Sequence, residues 1–232
     1  MDKSVAKDRL PPTRSSPLRA PRAAAVAGIL FAVLLIASIV LLRLSVPADP
    51  LDTGTWLATR AGWVALALNL VPFAGIAFLW FIGVLRDRLG AGEDRFFATV
   101  FLGSGLLFLA MLFVSAAVAG GLIIVHADRS SGLLGSPSFT VIRAVMYVVM
   151  NVYAVKMAAV FMIVTSTLAI RTGFIRRWIA VLGYLLAALL LLSVGVYAGI
   201  LLVFPLWVFL VSVFILIDNW RQPAAATATD QM

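Results

Sequence analysis

The chain has no cysteine, a single histidine (His126) and a single glutamate (Glu93). Without cysteine there can be no disulfide, thiol redox chemistry, iron–sulfur cluster or cysteine metal site. One histidine rules out a haem held by two histidines of the chain and a catalytic zinc held by several. Charge is scarce too: only 12% of the 232 residues are charged, where soluble domains carry about a quarter. All ten acidic residues lie outside the long apolar blocks or at their edges, Asp218 being the nearest. No carboxylate is therefore placed to load and unload a proton within a bilayer, which argues against a proton-coupled pump.

What is present in excess is apolar sequence, 63% of the chain, with a mean hydropathy of +1.09. It comes in long uninterrupted blocks rather than amphipathic stripes, and blocks of about 20 residues match a hydrocarbon core about 30 Å thick. The expected fold is all-α, a polytopic bundle of six transmembrane helices over about 23–42, 63–85, 97–125, 141–170, 178–195 and 199–217, within a domain spanning about 23–220. The first block is too long for the core of a signal peptide and Arg43 interrupts the approach to a cleavage site, so it reads as a retained helix. The apolar stretch 178–217 covers 40 residues. As one helix it would be about 60 Å long, twice the membrane core, so a turn is expected near Gly195 to Gly199.

The net charge of +8 sits in a tail and in short loops. It reads as topology information and attraction to anionic lipid headgroups, with no call for nucleic acid. Residues 1–22 and 221–232 read as disordered cytoplasmic tails. With the N-terminus inside, the inner segments hold 13 basic residues, and the outer side holds four, Arg43, Arg60, Arg129 and Arg143. That bias predicts both termini in the cytoplasm. Trp56 and Trp63 are expected as outer interfacial anchors, Trp178 and Trp220 as inner ones.

The remaining basic residue, Lys156, falls near the middle of the fourth block, where insertion costs at least about 2.5–3.5 kcal/mol. It either snorkels or is satisfied by hydroxyl and carbonyl oxygens, or it contacts an anionic ligand, a lipid phosphate or an acidic residue of a second membrane subunit. On the same helix Arg143, Tyr147 and Asn151 recur every four residues and share a face. That face reads as an interfacial belt with one interhelical hydrogen bond, or as one wall of an outward-facing polar vestibule to which Asn69 and His126 contribute. Asn69 precedes Pro72 by one turn and is placed to bond the carbonyls that a proline frees. Pro205 makes a similar break in the last block. Gly103-Ser104-Gly105 reads as a close-packing patch, since no histidine lies on a later helix to serve as a base.

The segment Arg176-Arg177-Trp178-Ile179-Ala180-Val181-Leu182-Gly183, with the basic tail and six-block layout, resembles uncharacterised bacterial six-pass membrane proteins of unknown function. The resemblance implies a multi-pass protein of the bacterial cytoplasmic (inner) membrane and brings no reaction and no cofactor. The sequence favours a non-enzymatic membrane protein acting through anionic lipid, a second membrane subunit or its own copies. A small-solute or lipid permease, or the membrane subunit of a transporter, is the alternative.

Overall fold

A computed structural model of the chain describes residues 20–47, 49, 51–89, 95–127, 132–173, 175–193 and 199–229. Among the described residues six helices follow one another: α1 (Ala20–Ser45), α2 (Trp56–Leu89), α3 (Arg95–Ala127), α4 (Pro137–Thr172), α5 (Arg177–Leu192) and α6 (Ile200–Thr229). The described residues contain no strand. In hydrocarbon each backbone N–H and C=O must be satisfied within the protein, and an apolar segment meets that demand as a helix. Five of the six are long and apolar enough to cross a membrane, which fits an integral membrane protein. The exception is α5, whose 16 residues span only about 24 Å at 1.5 Å per residue.

Local chemistry sets the ends. Ser136 caps α4 by accepting from the Phe139 N–H at 3.2 Å, and Pro137 occupies the first turn, where its missing N–H costs nothing. Gly173 closes the same helix in the left-handed conformation (φ +68°), which lacks a steric penalty only for glycine. Between these ends α4 contains one π-helical turn, Val149–Ala154. Helix α2 runs without a break through Pro72. Helix α6 continues to Thr229 across a segment whose composition reads as tail; Ala224, Ala225 and Ala226 supply the strongest helix formers there. The N-terminal tail as far as residue 19, and most of the expected turn between the last two helices (194–198), lie outside the described residues.

Neighbouring helices run antiparallel. Ser38 of α1 donates to the Ala67 carbonyl of α2 at 2.8 Å, Ser115 of α3 to the Met146 carbonyl of α4 at 3.3 Å, and Thr167 of α4 pairs with Tyr184 of α5 at 2.7 Å. Phe31 of α1 meets Phe204 of α6, while Gly28, a turn earlier on α1, meets Ser212, two turns later on α6. The N-terminal end of α1 and the C-terminal half of α6 thus lie at one end of the bundle.

The centre is aromatic. Phe31, Phe78, Phe108, Phe161 and Phe204, one from each helix except α5, are all 3% exposed or less. Their rings meet at 4.5 Å (Phe31 to Phe78), 4.7 Å (Phe108 to Phe204) and 5.3 Å (Phe78 to Phe161). Between helices in lipid, van der Waals fit rather than expulsion of water holds such a cluster together, and mixed tilted and edge-on rings suit their quadrupoles.

Candidate functional site

Helix α5, with 16 residues, is the shortest of the six. It stops at Leu192, level with Lys156 of α4, and α6 begins at Ile200, beside Leu35 of α1. Helix α1 continues ten residues past Leu35 to Ser45, about 15 Å farther. A cavity of about 140 Å³ lies among α1 to α4 at this level. Leu35, Leu112 and Leu201 lie at one end of it, one turn along their helices from the phenylalanine cluster, and Leu201 is the sole contribution of α6 among the described residues. Most of the wall is apolar.

Polar groups gather at the opposite end. Arg143, 3% exposed, donates through Nη2 to the Asp49 carbonyl at 2.7 Å and to the Pro47 carbonyl at 3.5 Å. Its guanidinium carbon lies 5.8 Å from the centre of the Trp56 ring, within cation–π range. The α1–α2 connection is shaped to receive these contacts. The Asp49 carboxylate accepts from the Leu51 N–H at 2.8 Å and that of Asp52 from the Gly54 N–H at 2.9 Å. Gly54 holds φ +88° with the Phe139 ring packed where a Cβ would stand. One arginine and one phenylalanine of α4 thereby fasten the connection over the cavity. Arg43 also lines the cavity and, with Arg60, a shallower polar recess that shares Val46, Pro47 and Trp56 with it.

Three of the buried polar atoms without a hydrogen-bond partner belong to residues lining this one cavity: Trp56 Nε1, Arg143 Nε and Asn151 Oδ1. Asn151 uses its Nδ2 on the Tyr147 carbonyl at 3.0 Å. Such orphans are uncommon in folded proteins and each calls for an explanation.

Arg143, Tyr147 and Asn151 all line the cavity, so the structure does bring the four-residue stripe together. Two other candidates lie elsewhere. Asn69 is exposed on the outside of α2 and its Nδ2 bonds the Ala65 carbonyl at 2.9 Å, one full turn back, not the Leu68 carbonyl that Pro72 leaves free. His126 sits half-buried in the last turn of α3, away from the cavity. Trp56, expected at the interface, is only 4% exposed.

Lys156 stands apart from the cavity and serves the end of α5. Its ammonium donates to the carbonyls of Leu190 at 3.0 Å, of Ser193 at 2.8 Å, and of Leu191. An ammonium has three N–H donors, and three carbonyls of this chain take them. These are the last carbonyls of a helix, which have no intrahelical partner and carry the negative end of its dipole. Carbonyl oxygens of its own chain thus surround the ammonium.

Sequence reasoning did not single out Trp56 or Ser115 for this site. Both follow from loop geometry and helix register, which leave no local signal. No family model matches the chain, and no curated protein or solved structure matches it.

Proposed function

We propose that the chain is a six-pass, non-enzymatic protein of the bacterial cytoplasmic membrane, with both termini in the cytoplasm, that holds the apolar part of a membrane amphiphile in a cavity open to the outer half of the bilayer. The observation that carries this is the cavity itself, mostly apolar with arginines at one end, among α1 to α4. The orientation rests on the 13 to 4 division of basic residues, which puts Arg43, Arg60 and Arg143 on the outer side. In this reading α5 makes the fifth pass, and Trp63 and Trp178, both more than half exposed, lie near opposite interfaces.

The volume limits what enters. About 140 Å³ is close to the roughly 150 Å³ of an engineered cavity that admits benzene. It takes one chain segment of about six carbons and not a whole lipid. A permease would need a route past the phenylalanine cluster, whose rings are packed edge to face across the bundle, and this weighs against that alternative.

The test is a cavity-filling substitution. Ala116 lines the cavity, while Ala117 on the same helix faces outward. Decanol binding to the protein in neutral nanodiscs should be saturable, lost in Ala116→Phe and kept in Ala117→Phe. Binding that never saturates, or that survives Ala116→Phe, would remove the proposal.

A further inference from the structure

We infer that the polar recess between the end of α1 and the start of α2 holds the headgroup of an anionic phospholipid, with its phosphate on Arg43 and Arg60. The inference goes beyond the cavity reading and stands whether or not the cavity is filled. The recess is walled by residues where one helix long and apolar enough to cross a membrane ends, at Ser45, and the next begins, at Trp56. The end of a span lies at the level of the headgroups. Arg43 and Arg60 line the recess, and none of the described residues lining it is acidic. Asp49 and Asp52, on the connection that follows, turn their carboxylates to the Leu51 and Gly54 N–H groups. Two of the four basic residues on the outer side of the proposed orientation, where cations are disfavoured, thus meet in one place.

The donors there are largely unspent. Arg60 gives an Nη1 N–H to the Leu44 carbonyl, which closes the end of α1, and a guanidinium has five N–H groups to give. Among the described residues the Arg43 side chain has no hydrogen-bond or ion-pair partner, and neither has the hydroxyl of Ser45, a residue only 7% exposed. Both residues border the recess, as do the exposed Thr55 and Thr59. Thr55 also stands just ahead of α2, whose dipole presents its positive end here. Guanidinium groups pair with phosphate oxygens, and hydroxyl side chains can both donate to and accept from an alcohol. Two arginines beside three hydroxyls therefore suit a phosphate that carries an uncharged alcohol such as glycerol. A choline or ethanolamine head would bring its own cation to two arginines with no carboxylate on the recess wall to receive it. The recess, about 360 Å³, is more than twice the size of the apolar cavity and has room for such a head.

The experiment is native mass spectrometry of the full chain in detergent, titrated with phosphatidylglycerol and phosphatidylcholine of matched acyl chains. The tightest-bound lipid should be a single phosphatidylglycerol, favoured about tenfold over phosphatidylcholine, the worth of one charge-assisted hydrogen bond. Arg43→Gln breaks no side-chain bond within the described residues and should weaken phosphatidylglycerol about tenfold, while Arg86→Gln, at the far end of α2, should leave it unchanged. Equal retention of the two lipids by the wild-type chain, or phosphatidylglycerol binding that survives Arg43→Gln, would overturn the inference. Glycerol phosphate without acyl chains, at the same concentration, should not displace the lipid; if it does, the site takes a free phosphate and the lipid assignment falls. None of these outcomes touches the cavity reading, which Ala116→Phe tests separately.

Discussion

Replacing Lys156 by leucine tests the cap on α5 most directly, because intuition about membranes points the other way. Leucine removes a charge from a span and ought to stabilise it. The structure gives the opposite sign. One ammonium satisfies the carbonyls of Leu190, Leu191 and Ser193, and a hydrogen bond to a charged group is worth about 1.5–3 kcal/mol. The three share one charge and do not add fully, so the loss amounts to between one and two such bonds, about 3 kcal/mol. The insertion cost of the lysine, about 2.5–3.5 kcal/mol, is borne in both the packed bundle and the separated helices, so it largely cancels from the unfolding equilibrium. Titration with sodium dodecyl sulfate in mixed micelles, followed by tryptophan fluorescence, should show Lys156→Leu and Lys156→Met both destabilised by about 3 kcal/mol. Methionine keeps the length of the stem, so a shared loss isolates the ammonium. A Lys156→Leu protein as stable as wild type, or more so, would mean that the ammonium contributes nothing at the end of α5.

Three further outcomes can be checked. A Cβ at Gly183 would overlap Ser166 Oγ and stand 2.9 Å from Trp207 Nε1; the hydroxyl can rotate but the indole cannot, so Gly183→Ala should cost about 1–3 kcal/mol in the same titration. Gly54→Ala combines φ +88° with the Phe139 ring, and should loosen the α1–α2 connection by about 1–3 kcal/mol, read as faster amide exchange at residues 51–55. Because the chain has no cysteine, single cysteines report topology without background. Leu51→Cys should react in intact cells with a membrane-impermeant maleimide and Gly173→Cys only after lysis; the reverse pattern would invert the proposed orientation.

An all-helical chain built from long apolar segments was legible because uninterrupted hydrophobicity is itself the signal. Which way each helix faces was not. Asn69 illustrates the difficulty: α2 is apolar around its whole circumference, so periodicity could not show that residue 69 points outward and residue 68 into the cavity. The stripe of Arg143, Tyr147 and Asn151 was readable, since α4 carries polar residues on one side of its N-terminal half, and all three line the cavity. The partners of Lys156 lie 34 to 37 residues away and are backbone carbonyls, which no side-chain pattern can announce. The burial of Trp56 was hidden for a similar reason. It depends on how the α1–α2 connection folds back under Arg143.

The lysine and the early end of α5 belong together. A helix that ends inside a bilayer exposes carbonyls that lipid cannot satisfy, each costing several kcal/mol. Natural sequences avoid this by carrying the helix through to the headgroups. Here the helix stops at Leu192 and a cation is supplied from α4 at that depth, so the truncation becomes tolerable. The cavity beside α1 is a separate feature, closed at its far end where Arg143 and Phe139 fasten the α1–α2 connection. A protein gaining only stability would have lengthened α5, dispensed with Lys156 and filled the gap with leucine. Three polar atoms without a partner on residues that line the cavity are the arrangement expected where the volume itself is used, and they make its occupancy the property to measure.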